Sequence, residues 1–488
     1  MLKIRIATLV IISSLVLSCS DDDGSIPVID NEILTINEIK SLLNSANDSN
    51  DLVIGTTIEI IDGIEYTVVN FESKDSIFFK SSLLSATFEE PKKWNLIFEF
   101  ADNSFADTGF IGDSLHIKSI QLNPHSTAPL SALISIEMPV KGKFEIEVIG
   151  KENGGITIGN RFEKFDEDHQ LSVLGLYQNY ENVVRINFLS NDNNVRLSKT
   201  CTIQTDELES QPIIEVIENN HDNDDDHIYF VSDLCLGFDQ KGEVRWTFSG
   251  SSSFLYRKLT NGNLIISSGE DKISYHSKSF YEVTMLGEIV KEYAIPNYQH
   301  HEIRELPNGN FLVASNSQPI VLRDGNPEED LVIEVDRASG SIIKSWDLNE
   351  ILDPTRTPIP GSRPDDWFHL NAVYYDQDDQ SIVVSGRSQS CVAKIDYNTN
   401  EVKWILSNHN LWSPAFANKL LTPVNDSGSE IDVSQMAFWT AGQHAPLKLP
   451  NGNVMIYDNG DYRGFYDNPD VTRNSYTRIV EYEIDEFN

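Results

Sequence analysis

Short apolar runs of period two, broken by Asp, Gly, Asn and Ser, dominate the chain and predict a mostly β protein. One exception stands near the start. Thr35 with Glu38 has the arrangement of a capping box, and Ile39, Leu42, Leu43 and Ala46 follow at helical spacing, so a single short helix is expected there. From Val53 to about Phe110, runs such as Ile58–Ile60 and Leu96–Phe100 predict a small β-rich module. From His116 to Gln204, alternation in Ala132–Ile136, Phe144–Val148 and Val183–Phe188 predicts a compact β-sandwich of immunoglobulin size.

The rest of the chain is repetitive. Leu259-Thr260-Asn261-Gly262-Asn263, Leu306-Pro307-Asn308-Gly309-Asn310 and Leu449-Pro450-Asn451-Gly452-Asn453 each place Asn-Gly between apolar alternations. That is a hairpin signal, read here as two residues that both tolerate positive φ. Between the hairpins a second element recurs, at Asp239–Trp246, Leu286–Lys291, Asp336–Trp346 and Asp396–Trp404, each a turn leading into an outer strand. Repeated four-stranded units without helices close most naturally into a propeller. Six of the seven tryptophans lie at or beyond Trp246, and the polar stretch from Glu218 to His227 marks a linker. Asp222, Asp224, Asp225 and Asp226 in it lack the glycine and distal glutamate of a calcium loop and read as a solvated turn. The expected domains are a leader at 1–18, a tether and module at 19–112, the sandwich at 113–212 and the propeller at 213–488.

A formal charge of −38 and the lack of any basic stripe argue against nucleic-acid partners. Lys3 and Arg5 precede an apolar run, Ile6–Leu17, too short to span a bilayer, which reads as a secretory signal. Val16-Leu17-Ser18-Cys19 resembles a lipobox, so Cys19 is the expected lipidation site and the membrane a partner through that anchor. The acidic Asp21–Asp23 resembles an export signal of surface lipoproteins, giving an outer-membrane expectation with either face open. Beyond Cys19 only Cys201, Cys235 and Cys391 remain, enough for one disulfide at most and too scattered for a thiolate metal site.

Aligning the hairpins brings out the chemistry. His301 precedes Pro307 by six residues and His444 precedes Pro450 by six, while His369 leads a similar strand into the turn at Asp376–Asp379; Phe254 takes the place in the first unit. Equivalent positions near the start of inner strands converge on a propeller axis, so the three histidines should meet. The returning strand should bring Arg387 to the rim beside His369, and by the same argument Asn459 and Arg463 beside His444. His300 should point the other way along its strand, and the remaining seven histidines show no such equivalence. Tyr298, Trp367, Phe368 and Trp439 are candidates to wall an aromatic pocket or to pack between blades.

These segments, Gln299–Asn310, Asp366–Asn371, Ser385–Ser390, and Gln443-His444 with Asp458–Gly460, resemble the arylsulfotransferases, and Asn123–Ser131 with Leu174–Tyr177 extend the resemblance into the sandwich. It covers about Ile117 to the C-terminus and leaves the preceding module outside. Glu302 stands where aspartate is usual, and Ala445-Pro446 where a more polar pair is common. The resemblance implies a six-bladed β-propeller behind the sandwich and sulfuryl transfer from an aryl sulfate donor to a phenolic acceptor, without nucleotide or other cofactor. It further implies His444 as nucleophile, with His301, His369, Asn371 and Arg387 holding the sulfuryl oxygens. Homo-oligomerisation is left open. The absence of a Walker-type loop agrees with a nucleotide-independent reaction.

Two other readings use the same residues. Three histidines could bind a metal and activate water in a hydrolase, against which stand Arg387 and the expectation that no carboxylate accompanies the histidines. A non-catalytic propeller could bind sulfated or phenolic ligands.

Overall fold

In the computed structural model the described residues are 35–486, apart from 49–52, 72–76, 91–94, 103–104, 108–114, 153, 190–192, 194, 210–213, 218–226, 318–328, 363–365, 434–437 and 473–475. The leader, Cys19 and the acidic stretch at 222–226 therefore lie outside them. The chain divides into two compact units, Met1–Tyr229 with Gly237–Thr247, and Phe230–Leu236 with Phe248–Asn488.

The first unit opens with helix α1 (Ile36–Asp48). Thr35 and Glu38 close the capping box, Thr35 N donating to Glu38 at 2.7 Å and Glu38 N to Thr35 Oγ1 at 3.3 Å. Ile39 and Leu43, one turn apart, are fully buried with Val69, Phe71, Phe79, Phe98 and Phe100. The strands of this core form two three-stranded sheets: β1 (Val53–Ile61), β2 (Ile64–Phe71) and β3 (Ile77–Lys80); β4 (Leu84–Glu90), β5 (Asn95–Phe100) and β6 (Phe105–Asp107).

The next strands are β7 (His116–Leu122), β8 (Ser131–Val148), β9 (Ile158–Leu174), β10 (Glu181–Leu189) and β11 (Val195–Gln204). Strand β8 pairs along its length with β9, but its first half meets β7 and its second half β10, with register broken between Glu137 and Phe144. The long hairpin thus crosses from one layer to the other, which is how a sandwich turns a corner. Gly142 marks the bend, where a Cβ would fall 2.1 Å from the Phe188 ring. Strands β12 (Tyr229–Val231), β13 (Leu236–Phe238) and β14 (Val244–Thr247) form a small sheet of their own.

In the second unit the antiparallel repeat is explicit. The strands are β15 (Ser252–Lys258), β16 (Leu264–Ser268), β17 (Ser277–Val283), β18 (Ile289–Glu305), β19 (Phe311–Ser315), β20 (Leu331–Val335) and β21 (Ile342–Asp347), then β22 (Leu370–Asp376), β23 (Ser381–Gly386), β24 (Cys391–Asp396) and β25 (Val402–Leu406), and last β26 (His444–Lys448), β27 (Val454–Asp458) and β28 (Arg478–Tyr482). Pairing is sequential throughout, and the 17-residue β18 serves as outer strand to β17 and inner strand to β19. These are propeller blades. Second strands β16, β19 and β23 are buried at every position, as strands covered on both faces must be.

The hairpin turns correct one expectation. Only the glycines are left-handed, with φ 88° at Gly262, 86° at Gly309 and 91° at Gly452, while the preceding asparagines are not. Asn308 Oδ1 instead accepts from Asn310 N at 3.0 Å, and Asn308 and Asn310 both donate to Glu334 on the third strand, at 3.1 and 2.8 Å. Glu282 and Glu481 receive the same pair of amides in their blades. The second asparagine is thus explained by a bond to the third strand, not by turn geometry alone.

Candidate active site

All four inner strands break register where they begin, between Ser252 and Phe254, Gln299 and Ile303, Leu370 and Ala372, and His444 and Leu447. A bulge at that point re-aims a side chain, and a histidine stands in or beside three of the four, His301 inside the break, His444 at its edge and His369 one residue before it. The backbone is left-handed at His301 (φ 50°), His369 (φ 54°) and Ala445 (φ 49°), conformations that cost a non-glycine residue on the order of 1 kcal/mol. The rings meet: His301 lies 5.1 Å from His369 and 6.4 Å from His444 between centroids.

Each ring has its own partner. Asn459 Oδ1 is 2.7 Å from His444 Nδ1, and an amide oxygen only accepts, so Nδ1 carries the proton and the lone pair is on Nε2. Burial lowers the pKa of His444, and the charges of Arg387 and His369 lower it further against the Asn459 bond and Asp461. Neutral His444 is thereby favoured. Burial and the neighbouring imidazoles push His301 well down, against Glu329. His369 differs: burial opposes its charge, yet the Asp366 hydrogen bond and the carboxylates of Glu329 and Asp366 outweigh burial and Arg387 and raise its pKa.

Arg387 N donates to the His369 carbonyl at 3.1 Å, and its guanidinium pairs with Asp461 at 2.6 Å. Asn371 Nδ2 donates to the Gln443 carbonyl at 2.7 Å, tying β22 to the residue before His444, and its Oδ1 is buried with no hydrogen bond inside the described residues. Gln443, which had no role of its own in the motif, anchors that segment through bonds to Ser385, Gly386 and Cys391. Gly442 is obligatory beside it, because its φ is 59° and a Cβ would stand 2.8 Å from Asp461. Arg463 is not directed at His444. It pairs with Asp458 at 2.5 Å and donates to the Tyr476 carbonyl at 2.8 Å. Trp367 and Phe368 belong to the core, and Tyr298 is also buried.

Two expectations about the surroundings fail. His300 does not point away, because the left-handed His301 breaks strand alternation and brings the two Nδ1 atoms to 2.9 Å. Carboxylates do accompany the histidines. Glu329 is fully buried, its Oε2 3.1 Å from His369 Nδ1 and 3.9 Å from His301 Nδ1, and its Oε1 3.1 Å from His276 Nε2. Tyr275 donates to Oε1 at 2.6 Å, and Asp366 Oδ2 is 2.5 Å from His369 Nδ1. His276, finally, joins the cluster although it matches no other histidine. It and Glu329 stand just before the third strands β17 and β20, a repeat equivalence that a comparison of inner strands alone misses.

Two groupings, His300 with His301 and Glu329, and Glu329 with Asp366 and His369, bring ligand-type atoms within 4.8 Å of one another. The second is too tight for a shared cation. Ligands on bonds of about 2.0–2.2 Å stand roughly 3 Å apart or more, whereas Asp366 and His369 are 2.5 Å apart, the distance of a charge-assisted hydrogen bond. The first has a spacing a cation would accept.

The comparisons decide the family. The arylsulfotransferase (ASST) family matches residues 214–488, and the arylsulfotransferase Ig-like domain matches residues 119–206. The chain belongs to the arylsulfotransferase family. Arylsulfate sulfotransferase AssT of Escherichia coli O6:H1 is 25% identical over 468 residues, covering 75% of this chain and 78% of that protein. AssT of Lelliottia amnigena is 25% identical over 474 residues, covering 76% and 78%. Among solved structures, the Dos1 propeller is 8% identical, covers 82% of this chain and 76% of its own, and has a TM-score of 0.24. The sheet pairing itself carries the fold assignment in this arylsulfotransferase.

Proposed function

We propose that this arylsulfotransferase moves a sulfuryl group from an aryl sulfate to a phenol through a sulfohistidine at His444. The observation that carries the reading is the 2.7 Å contact from His444 Nδ1 to Asn459 Oδ1, which leaves the Nε2 lone pair for attack in a neutral, largely buried ring. Nε2 attacks sulfur, the bond to the aryl oxygen breaks, and the phenoxide leaves with the electron pair. A second phenoxide reverses the step and restores neutral His444. His301, His369 and Arg387 surround the transferring group, where charge spreads over peripheral oxygens in a loose transition state, as in phosphoryl transfer. Asn371 supports the site by holding the Gln443 carbonyl and offers its unbonded Oδ1 beside it. The reading includes export, with Cys19 acylated at the lipobox-like Val16–Cys19 and the enzyme held at the outer membrane.

Incubation of the purified protein with donor alone tests the reading. A peptide containing His444 should gain the mass of one sulfuryl unit, with the group on Nε2, and added phenol should discharge it. Adduct on another residue, or transfer that requires a nucleotide donor, overturns it.

A further inference from the structure

We infer that Glu329, acting with Asp366, is a positioning residue that holds His369 as the proton donor to the departing phenoxide. The inference rests on the sulfohistidine reading and adds a division of labour among the histidines. Glu329 is fully buried against Tyr275, His276, His301 and His369, and among the described residues just one of its two oxygens accepts a hydrogen bond, from Tyr275. Leaving the other oxygen without one in the interior is costly unless a cation faces it. His369 is the cation available: its Nδ1 lies 3.1 Å from that oxygen and 2.5 Å from Asp366 Oδ2. Two carboxylates on one nitrogen fix the proton at Nδ1 and leave Nε2–H as the end that can meet a substrate.

The other groups around His369 set the contrast. Among the described residues His301 has one distant carboxylate contact, at 3.9 Å, and its Nδ1 meets that of His300; His444 faces an amide; Arg387 opposes the charge. Burial pushes His300 down to about 4. Burial would raise Glu329, but contact with His276 and the charge of His369 hold it well below the usual carboxylate range. His369 is thus drawn toward the charged form, while His300, His301 and His444 are drawn toward the neutral one. In the first half-reaction His444 Nε2 bonds to sulfur as the sulfur–oxygen bond breaks, and the aryl oxygen takes the Nε2 proton of His369, leaving phenol and neutral His369. In the second, the acceptor phenol returns a proton to His369 Nε2 while its oxygen takes the sulfuryl group from His444.

Proton donation matters most for leaving groups that are poor as anions. Full-length Glu329→Gln, assayed with a series of ring-substituted phenyl sulfates, should steepen the fall of kcat/KM with rising phenol pKa. We expect a loss of about 100-fold for unsubstituted phenyl sulfate and less than about tenfold for 4-nitrophenyl sulfate, with the His444 adduct still formed from the latter. Equal losses across the series would make Glu329 merely structural and overturn the inference, as would metal bound stoichiometrically by the wild type and lost from the variant. Nitrogen-15 NMR of wild-type His369 needs no variant to fold. An imidazolium signal at neutral pH supports the assignment, and a neutral ring overturns it. Absence of a His444 adduct in the wild type would sink the underlying reading instead.

Discussion

Two buried ionic sites, one in each unit, are built on opposite principles. In the first unit Arg245 and Asp239 are 0% and 1% exposed and 2.6 Å apart. Arg245 also donates to the Gly175 and Ile156 carbonyls and lies 3.7 Å from the Tyr177 ring, while Asp239 accepts from the backbone of Lys241 and Glu243. Four backbone groups brace the pair, and of its side-chain nitrogens and oxygens Arg245 Nη2 alone lacks a hydrogen bond among the described residues. In the second unit Glu329 faces several imidazoles at contact distance, an oxygen of Glu329 and nitrogens of His276 and His300 lack hydrogen bonds among the described residues, and His301 and His369 are left-handed. Closure of the first site gives rigidity. Incomplete pairing and strain at the second leave charge and direction available to a ligand.

The contrast breaks most sharply at His444. His444→Asn should lower turnover by at least about 10³-fold and abolish the adduct, because an amide cannot carry the group. The melting temperature should stay near wild type, since the ring makes one hydrogen bond at a bulge. A folded variant that retains transfer would remove the functional half of the comparison.

Arg245→Met attacks the other half. It leaves Asp239 buried and unpaired, and the expected destabilisation is about 3–5 kcal/mol, read as a lower denaturant midpoint. A change below about 1 kcal/mol would show that the pair is not the closure it looks like. Arg387→Ala should cost about 2–4 kcal/mol in kcat/KM, roughly 30- to 1,000-fold, with the adduct still on His444. Loss of the adduct there would mean that Arg387 positions the nucleophile and does not only stabilise charge.

The smallest effect is a displacement in pH. His444 must be neutral, so kcat/KM falls as pH drops through its lowered pKa; His369 must be protonated, so kcat/KM falls as pH rises through its raised pKa. The profile should be bell-shaped around neutrality. Asp366→Asn removes a charge that raises His369, and the alkaline limb should move to lower pH while the acid limb holds. A shift of the acid limb instead would assign the two histidines the reverse roles.

Much of this was legible along the chain. The period-two runs, the Asn-Gly-Asn turns and the capping box are local signals, and each reports bonds made within a few residues, as at Thr35–Glu38. Repeat equivalence carried further, bringing His301, His369 and His444 together because identical places in successive blades share one end of the repeat. It could not foresee where side chains turn at a bulge. Alternation put His300 on the wrong side, and strand direction alone drew Arg463 toward a site from which Asp458 diverts it.

The sequence by itself determined the mostly β architecture, the repeat, the histidine positions and the membership those motifs imply, since all of these rest on spacing. Only the tertiary structure decided which histidine is drawn toward the charged form. That depends on Glu329, 40 positions before His369, whose fully buried carboxylate reaches 3.1 Å from the ring. Burial multiplies the effect of one such contact, because charge–charge energy grows as water is excluded, and no spacing along a chain records where water is excluded.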